Sequence, residues 1–260
     1  YGDVYLLENN AYLPLGFLAQ EELAELEFNN ASGSFVFQNQ LFTAATGILQ
    51  NVWNITPGEW LTIIPSGVQI SNQTTYGYCN YTADTGGGTL KYSYAIQSTG
   101  FLCLDMNLRG RNSFTVWKNG VQLYSESLSL PQTLAVSEVV PGDVIEIHIT
   151  CKANENSFMT IRAGILDDAV FRQGYDILNA STLKLTHFSN TNIEGTITCD
   201  REGILYTSIP QDGNWCAKVD GKDAETLAIG KAMVGIRLTE GAHTVQFYYQ
   251  NDAFRLGLTI

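Results

Sequence analysis

The chain has 260 residues, 45% of them hydrophobic and 11% aromatic, enough to bury one large core or two ordinary ones. Its 26 acidic against 14 basic residues give a net charge of −12 with no Lys/Arg cluster, which excludes nucleic acid and an anionic membrane surface as partners, since both need clustered positive charge. No apolar run approaches the roughly 20 residues that span a bilayer, and no basic segment followed by an apolar one opens the chain, so it reads as a soluble piece.

In chain order, Val4 to Ala19 is apolar and aromatic but carries Pro14, which lacks the amide a helix needs, and is read as extended. Gln20 to Phe28 is acidic with Leu23 and Leu26 three apart, a short helix. Gln38 to Leu49 places Leu41, Phe42, Ala45 and Leu49 on one helical face. From about Val52 to Ile165 strands alternate with turn signals such as Pro57-Gly58 and Gly86-Gly87-Gly88. Leu166 to Ala180 has Ala169, Val170, Gln173 and Ile177 at helical spacing, and a second run of strands fills Ser181 to the end. The chain opens abruptly at Tyr1 and stops abruptly at Ile260 within a strand-like run, as expected of a segment excised from a longer protein.

The two strand runs share a plan. One has Gly100 to Met106, then Phe114 to Lys118 into Asn119-Gly120, then Pro141-Gly142-Asp143 into Val144 to Ile149. The other has Gly203 to Ile209, then Trp215 to Val219 into Asp220-Gly221, a return through Lys222 to Leu227, a strand over Ala232 to Leu238, and Glu240-Gly241 into His243 to Tyr249. From the first Gly to the hairpin Gly is 20 residues in one copy and 18 in the other, and from there to the second-turn Gly is 22 and 20. Spacing this close marks two versions of one β module. Asn-Gly and Asp-Gly tolerate the positive φ angles of a type I′ turn, so each copy contains a hairpin. The predicted fold is all-β: two tandem antiparallel β-sandwich modules, jelly-roll-like, with a few short helices. The boundaries are an N-terminal extended and helical segment at 1–51 packing on the sandwiches, a first sandwich at 52–165, a helical connector at 166–180 and a second sandwich at 181–260.

Catalytic and metal signals are missing. Cys79, Cys103, Cys151, Cys199 and Cys216 show no CxxC or Cys/His spacing, their odd count leaves one thiol unpaired, and most read as small buried hydrophobes. His148, His187 and His243 are the only histidines, and there is no Gly-x-Ser-x-Gly elbow, His-Glu-x-x-His pair or glycine-rich phosphate loop. Asp167-Asp168, Asp200 with Glu202, and Asp220 with Asp223 are carboxylate pairs, but a glycosidase needs its two carboxyls facing across a cleft at roughly 5–10 Å. No cofactor is called for.

Several strings resemble a known family: Glu8 to Phe17, Gln38 to Phe42 with Thr46-Gly47 after it, and above all Gly203 to Pro210 followed by Trp215, the Val219-Asp220-Gly221-Lys222 hairpin and Gly230 to Tyr249. They are similar to the extracytoplasmic part of bacterial YfhO-type membrane proteins. Where that family continues the Pro with an aromatic and a lysine, this chain has Gln211-Asp212-Gly213-Asn214. The resemblance implies a polytopic protein of GT-C glycosyltransferase type, which uses a polyprenyl-phosphate-linked sugar to glycosylate envelope polymers such as lipoteichoic acid. Its catalytic acids would lie on loops near the membrane helices, outside this chain. The chain itself would then be a non-enzymatic domain on the extracellular face of a plasma membrane, with its own transmembrane region and a cell-envelope glycopolymer as partners.

Three readings stay open: an accessory domain that holds a glycopolymer acceptor, a structural lid, and a free-standing carbohydrate-binding protein. Sugar binding on a sandwich uses aromatic faces with acids and amides around them. Tyr206, Asp212, Asn214 and Trp215 combine these in one loop and its flanks and are the proposed glycan-binding residues. Tyr248 and Phe254, with Trp117 and Tyr124 in the first module, are the further aromatic candidates.

Overall fold

The computed structural model describes residues 9–27, 33–55, 61–74, 77–109, 113–127 and 130–250. Phe254 and the Pro57-Gly58 turn lie outside the described residues. The chain begins with β1 (Gly16–Ala19) and a 3-10 turn at Glu21–Glu25, then enters helix α1 (Ser34–Thr46). The first strand run follows as β2 (Trp53–Ile55), β3 (Leu61–Ser66), β4 (Val68–Ser71), β5 (Tyr78–Ala83), β6 (Gly88–Ala95), β7 (Gly100–Leu108), β8 (Ser113–Lys118), β9 (Val121–Ser127), β10 (Gln132–Val139), β11 (Val144–Cys151) and β12 (Asn156–Leu166). Helix α2 (Asp168–Asn179) leads to β13 (Lys184–Phe188), β14 (Asn192–Cys199), β15 (Gly203–Pro210), β16 (Trp215–Val219), β17 (Lys222–Ala224), β18 (Leu227–Ile229), β19 (Met233–Leu238) and β20 (Gly241–Tyr249).

The strands form two all-antiparallel sandwiches. In the first, a sheet ordered β10-β7-β12-β5-β4, with β2 also on β12, faces one ordered β3-β6-β11-β8-β9. Alternation drives the pairing: Ile145, Ile147 and Ile149 point inward with Leu90, Tyr92, Tyr94, Phe114 and Val116, and meet Leu102, Leu104, Met106, Ile161 and Ile165 from the facing sheet. Val144, apolar but out of phase with them, is exposed. In the second, β1-β15-β19-β18 faces β13-β14-β20-β16-β17 over Leu18, Ile193, Ile197, Leu205, Val234, Ile236, Val245 and Phe247. The order β17-β16-β20-β14-β13 reproduces β9-β8-β11-β6-β3 strand for strand, so the repeat read in the sequence is a repeat of topology. Both hairpins have two-residue turns with positive φ throughout, 50° and 80° at Asn119-Gly120 and 52° and 77° at Asp220-Gly221, and they join Lys118 to Val121 and Val219 to Lys222.

The strand that closes each sandwich comes from a different place in the chain. In the first it is β12, which follows β11 directly and sets Leu166 opposite Phe101 and Ile165 opposite Leu102. In the second it is β1, with Ala19 opposite Ile204, Leu18 opposite Leu205 and Phe17 opposite Tyr206. The match extends to the glycine that opens each copy: a Cβ on Gly100 would lie 2.3 Å from the carbonyl oxygen of Leu166, and one on Gly203 would lie 2.3 Å from that of Ala19. Glycine is required there because the closing strand's backbone approaches too closely for any side chain. Beyond β1, Leu18 donates its N–H to Ser181 O and Leu183 to Gly16 O, at 2.8 and 2.9 Å, as β2 flanks β12. Compact units follow these pairings: one gathers the described residues within 1–29, 40–50 and 170–260, the other those within 30–39 and 51–169.

The helices differ from the sequence reading in boundary and face. Helix α1 starts at Ser34 rather than Gln38, after Gly33 at φ 86°, with the Ser34 amide donating to Asp105 Oδ2 at 3.4 Å. It stops at Thr46 because Gly47, at φ 77°, turns the chain left-handed and donates its N–H back to Thr43 O. Leu49 therefore falls outside the helix and is 87% exposed. The buried face of α2 is Val170, Gly174 and Leu178, not Ala169, Gln173 and Ile177, since the Phe42 ring occupies the space where Gly174 lacks a side chain. The 3-10 turn buries Leu23, and with Ala45 and Leu178 it covers Ala19, Ile204 and Ile229 on the outer face of the β1-β15-β19-β18 sheet.

Replacing Gly203 by Ala should push β1 off β15, because the clash is with backbone oxygen and no rotamer relieves it. The expected cost is roughly 1–3 kcal/mol, read as a lower denaturation midpoint of the chain, whereas an unchanged midpoint would show that β1 does not close this sandwich.

Candidate functional site

With helices and the 3-10 turn over one outer face of the second sandwich, its other outer face, that of β13-β14-β20-β16-β17, is the one left to carry polar chemistry. Strand pairing sets Gln246 between Glu194 on β14 and Lys218 on β16, and sets Thr244 beside Thr196 and Tyr248 beside Asn192. Asn192 Nδ2 donates to Glu194 Oε1 at 2.8 Å, and Gln246 Nε2 donates to the same oxygen at 3.1 Å and to Asn192 Oδ1 at 2.9 Å. Lys218 Nζ lies 5.6 Å from the centroid of the Tyr248 ring. Thr186, Glu194, Thr196, Lys218, Thr244 and Gln246 line a surface depression of about 360 Å³.

The register of this face is held by the hairpin turn. Asp220 accepts the Thr244 amide at 2.9 Å, its own N–H returns to Thr244 O at 2.9 Å, and its Oδ2 lies 2.8 Å from His243 Nδ1. His243 Nε2 is 3.0 Å from Thr239 O, so both ring nitrogens face acceptors, an arrangement that favours the protonated ring. The hydrogen bond to Asp220 raises the His243 pKa above its ordinary value, and the bonds from His243 and the Thr244 amide hold Asp220 below the usual carboxylate range. The first module repeats the clamp with its acid on the other partner: Asn119 accepts the Val144 amide at 2.8 Å and donates to Asp143 Oδ1 at 2.7 Å. The Asn119 side chain, the Val140 amide and Lys118 together hold Asp143 at about 2.

At the far end of the same strands lies the loop singled out in the sequence. Asp212 Oδ1 accepts the Asn214 amide at 2.9 Å, and Oδ2 accepts the Tyr249 hydroxyl at 2.8 Å. Asn214 Nδ2 donates to that hydroxyl at 3.1 Å, and Gln250 donates its N–H to Asn214 O. The Trp215 ring stands edge-on to Tyr249 with centroids 5.3 Å apart, half-buried against the sandwich core. The Asn214 amide and then Tyr249 lower the Asp212 pKa, and Asp212 in turn raises that of Tyr249.

Asp212, Asn214 and Trp215 are thus brought together around Tyr249, a residue the sequence reading did not select. Tyr206 is elsewhere: it sits on β15 with its ring 5.3 Å from Phe17, packed into the helix-covered cluster. The string it belongs to receives β1, and buried Thr207 bonds Val234 O at 2.6 Å, so its role here is architectural. Tyr124 packs on the first core and donates to Ala135 O at 2.6 Å. Trp117 faces outward, stacked on His148 at 5.6 Å, with its indole N–H given to Thr115 Oγ1. Glu194 and Gln246 were missed because alternation marks them only as outward-facing; the strand register is what makes them neighbours. The cysteines are unpaired, four of them buried, and burial pushes Cys151 up to about 12 and Cys199 to about 11, which keeps both as unreactive thiols. Among the described residues no group of His, Cys, Asp or Glu could hold a metal ion, and no helix is long and apolar enough to cross a membrane.

The architecture defines an all-β, two-sandwich region in which each five-stranded sheet turns a polar face outward. The chain belongs to the family of the bacterial membrane protein YfhO, whose model matches residues 2–260. No curated protein matches it. Among solved structures, it is similar to a family 35 carbohydrate binding module from Clostridium thermocellum at 14% identity and TM-score 0.31, over 44% of this chain and 98% of that one. A cycloisomaltooligosaccharide glucanotransferase from Paenibacillus sp., complexed with cycloisomaltoheptaose, is similar at 8% identity and TM-score 0.28, over 85% of this chain and 51% of that one. A GH2 beta-galacturonidase from Eisenbergiella tayi, bound to galacturonate, is similar at 9% identity and TM-score 0.26, over 77% and 39%. With TM-scores this low, none of the three likenesses says what this chain binds.

The Asp220–His243 clamp has a defined pH dependence. A raised His pKa contributes stability that is full below about 6.5 and is lost as pH rises through the folded-state value; the lowered Asp220 contributes above about 4 and is lost on acidification. The melting-temperature gap between the native chain and His243→Gln should therefore be widest between about pH 4 and 6.5 and should narrow as the pH rises above that window. A gap that stays constant as the pH rises out of that window would mean the ring is not charged in the fold.

Proposed function

We propose that this chain is the extracytoplasmic, non-catalytic region of a YfhO-family membrane protein, accessory to the glycosylation of envelope polymers such as lipoteichoic acid from a polyprenyl-phosphate sugar, and that it contacts the glycopolymer acceptor. Family membership supports the membrane context. The observation that carries the contact is the loop end of the second sandwich, where the Asp212 carboxylate, the Asn214 amide and the Tyr249 hydroxyl converge beside Trp215. An acid, an amide and a phenol offer donors and acceptors to sugar hydroxyls, and the half-buried indole gives a rigid apolar surface next to them. The mutual hydrogen bonds fix these groups before any ligand arrives, which lowers the ordering cost of a weak, wet contact.

Titrating lipoteichoic acid fragments into the labelled chain by NMR should move the amides of Asp212 to Trp215 and of Tyr249, and Trp215→Leu should weaken the response by about 3- to 10-fold. Shifts confined to the first module, or none, would leave the chain a structural lid. In the same preparation, incubation with a polyprenyl-phosphate sugar and lipoteichoic acid should give no transfer; robust turnover abolished by one carboxylate substitution would make the chain an enzyme.

A further inference from the structure

The outward faces of the two five-stranded sheets carry matched positions with opposite outcomes. Counted from the hairpins and across the pairings, Lys218 stands where the first module has Trp117, Gln246 where it has Glu146, Tyr248 where it has His148, Asn192 where it has Lys91, and Glu194 where it has Ser93. In the first module Trp117, His148, Glu146 and Lys91 engage one another. Trp117 lies on His148, and Glu146 is shared by Lys91 at 2.5 Å and His148 at 3.2 Å.

In the second module the same arrangement leaves valences open around the depression. Both amide donors on Glu194 reach Oε1, so Oε2 has no partner among the described residues. Lys218 Nζ contacts the Tyr248 ring and pairs with no carboxylate among the described residues, and the side-chain hydroxyls of Thr186 and Thr196 make no hydrogen bond among them. An oxygen that only accepts on β14, an ammonium that only donates on β16, two strand spacings of about 4.8 Å away across β20, and hydroxyls that do both on β13 and β14 thus surround the depression. A ligand that satisfies them must itself donate and accept at neighbouring positions. Net charge of either sign is disfavoured, since Glu194 repels an anion and Lys218 a cation. At about 360 Å³ the space is at the small end of the range for small-molecule sites.

We propose that this depression is a binding site for a neutral saccharide unit presenting adjacent hydroxyls, separate from the Asp212–Tyr249 loop end. It shares with the loop-end contact only the ligand class. The test is amide-shift mapping of the full chain with glucose, galactose and N-acetylglucosamine, each up to about 10 mM or beyond, with inorganic phosphate as the anionic control. At least one sugar should move Thr196, Lys218, Thr244 and Gln246, and phosphate should not. Lys218→Trp, which rebuilds the first-module arrangement, should weaken that response by about tenfold or more, Glu194→Gln by about fivefold, and Asp212→Asn not at all. A response to phosphate alone, or one that survives both Lys218→Trp and Glu194→Gln, overturns the site. A sugar response confined to Asp212–Trp215 and Tyr249 overturns it while leaving the loop-end contact standing, and silence at both places overturns both.

Discussion

The polar surface of the second sandwich depends on how Asp220 ties its hairpin to β20. The period of a strand is two, so a slip of β16 by one residue against β20 would turn Lys218 into the core and bring Ala217 out. A backbone N–H, a returned carbonyl bond and the His243 imidazole all converge on that one turn residue, and each is lost by a slip. The first module fixes its register with the same backbone pair and with a carboxylate where the second has an imidazole. Geometry was kept between the two copies while the charge placement was exchanged.

What the sequence revealed and what it hid divide along the range of the interactions. The two hairpins were legible because Asn119-Gly120 and Asp220-Gly221 encode their turn in two residues. The sandwich class was legible because alternation in strands such as Val144–Cys151 is a local pattern. The face of α2 was misread by one position because the contact that sets it is a glycine under Phe42, which no count of apolar residues registers. The destination of β1 was not legible, because four residues joined by backbone hydrogen bonds leave no side-chain signature of their partner. At the site, Asp212, Asn214 and Trp215 could be read from one loop, whereas Tyr249, Glu194 and Gln246 come from strands whose adjacency only register supplies.

The division of labour between faces follows from what covers them. The second sandwich spends one outer face on Leu23, Ala45 and Leu178, so an aromatic that lands there, as Tyr206 does, becomes packing. Among the described residues the opposite sheet has no such cover from its own unit, and its outward residues include Thr196, Thr244, Gln246, Glu194, Asn192, Lys218 and Tyr248.

The closure of the second sandwich by β1 also orders events in time. Gly16 and Thr207, which pair, stand 191 positions apart, while every strand of the first sandwich has been made once Leu166 is added. On a ribosome β1 is therefore made before the whole first sandwich and cannot pair with β15 until the chain beyond Leu166 has been added. Contacts of such long separation form slowly, and until this one forms the open edge of β15 is a template for any extended chain nearby. The interval in which β1 stands without that partner is at least the time it takes to make the residues between β1 and β15.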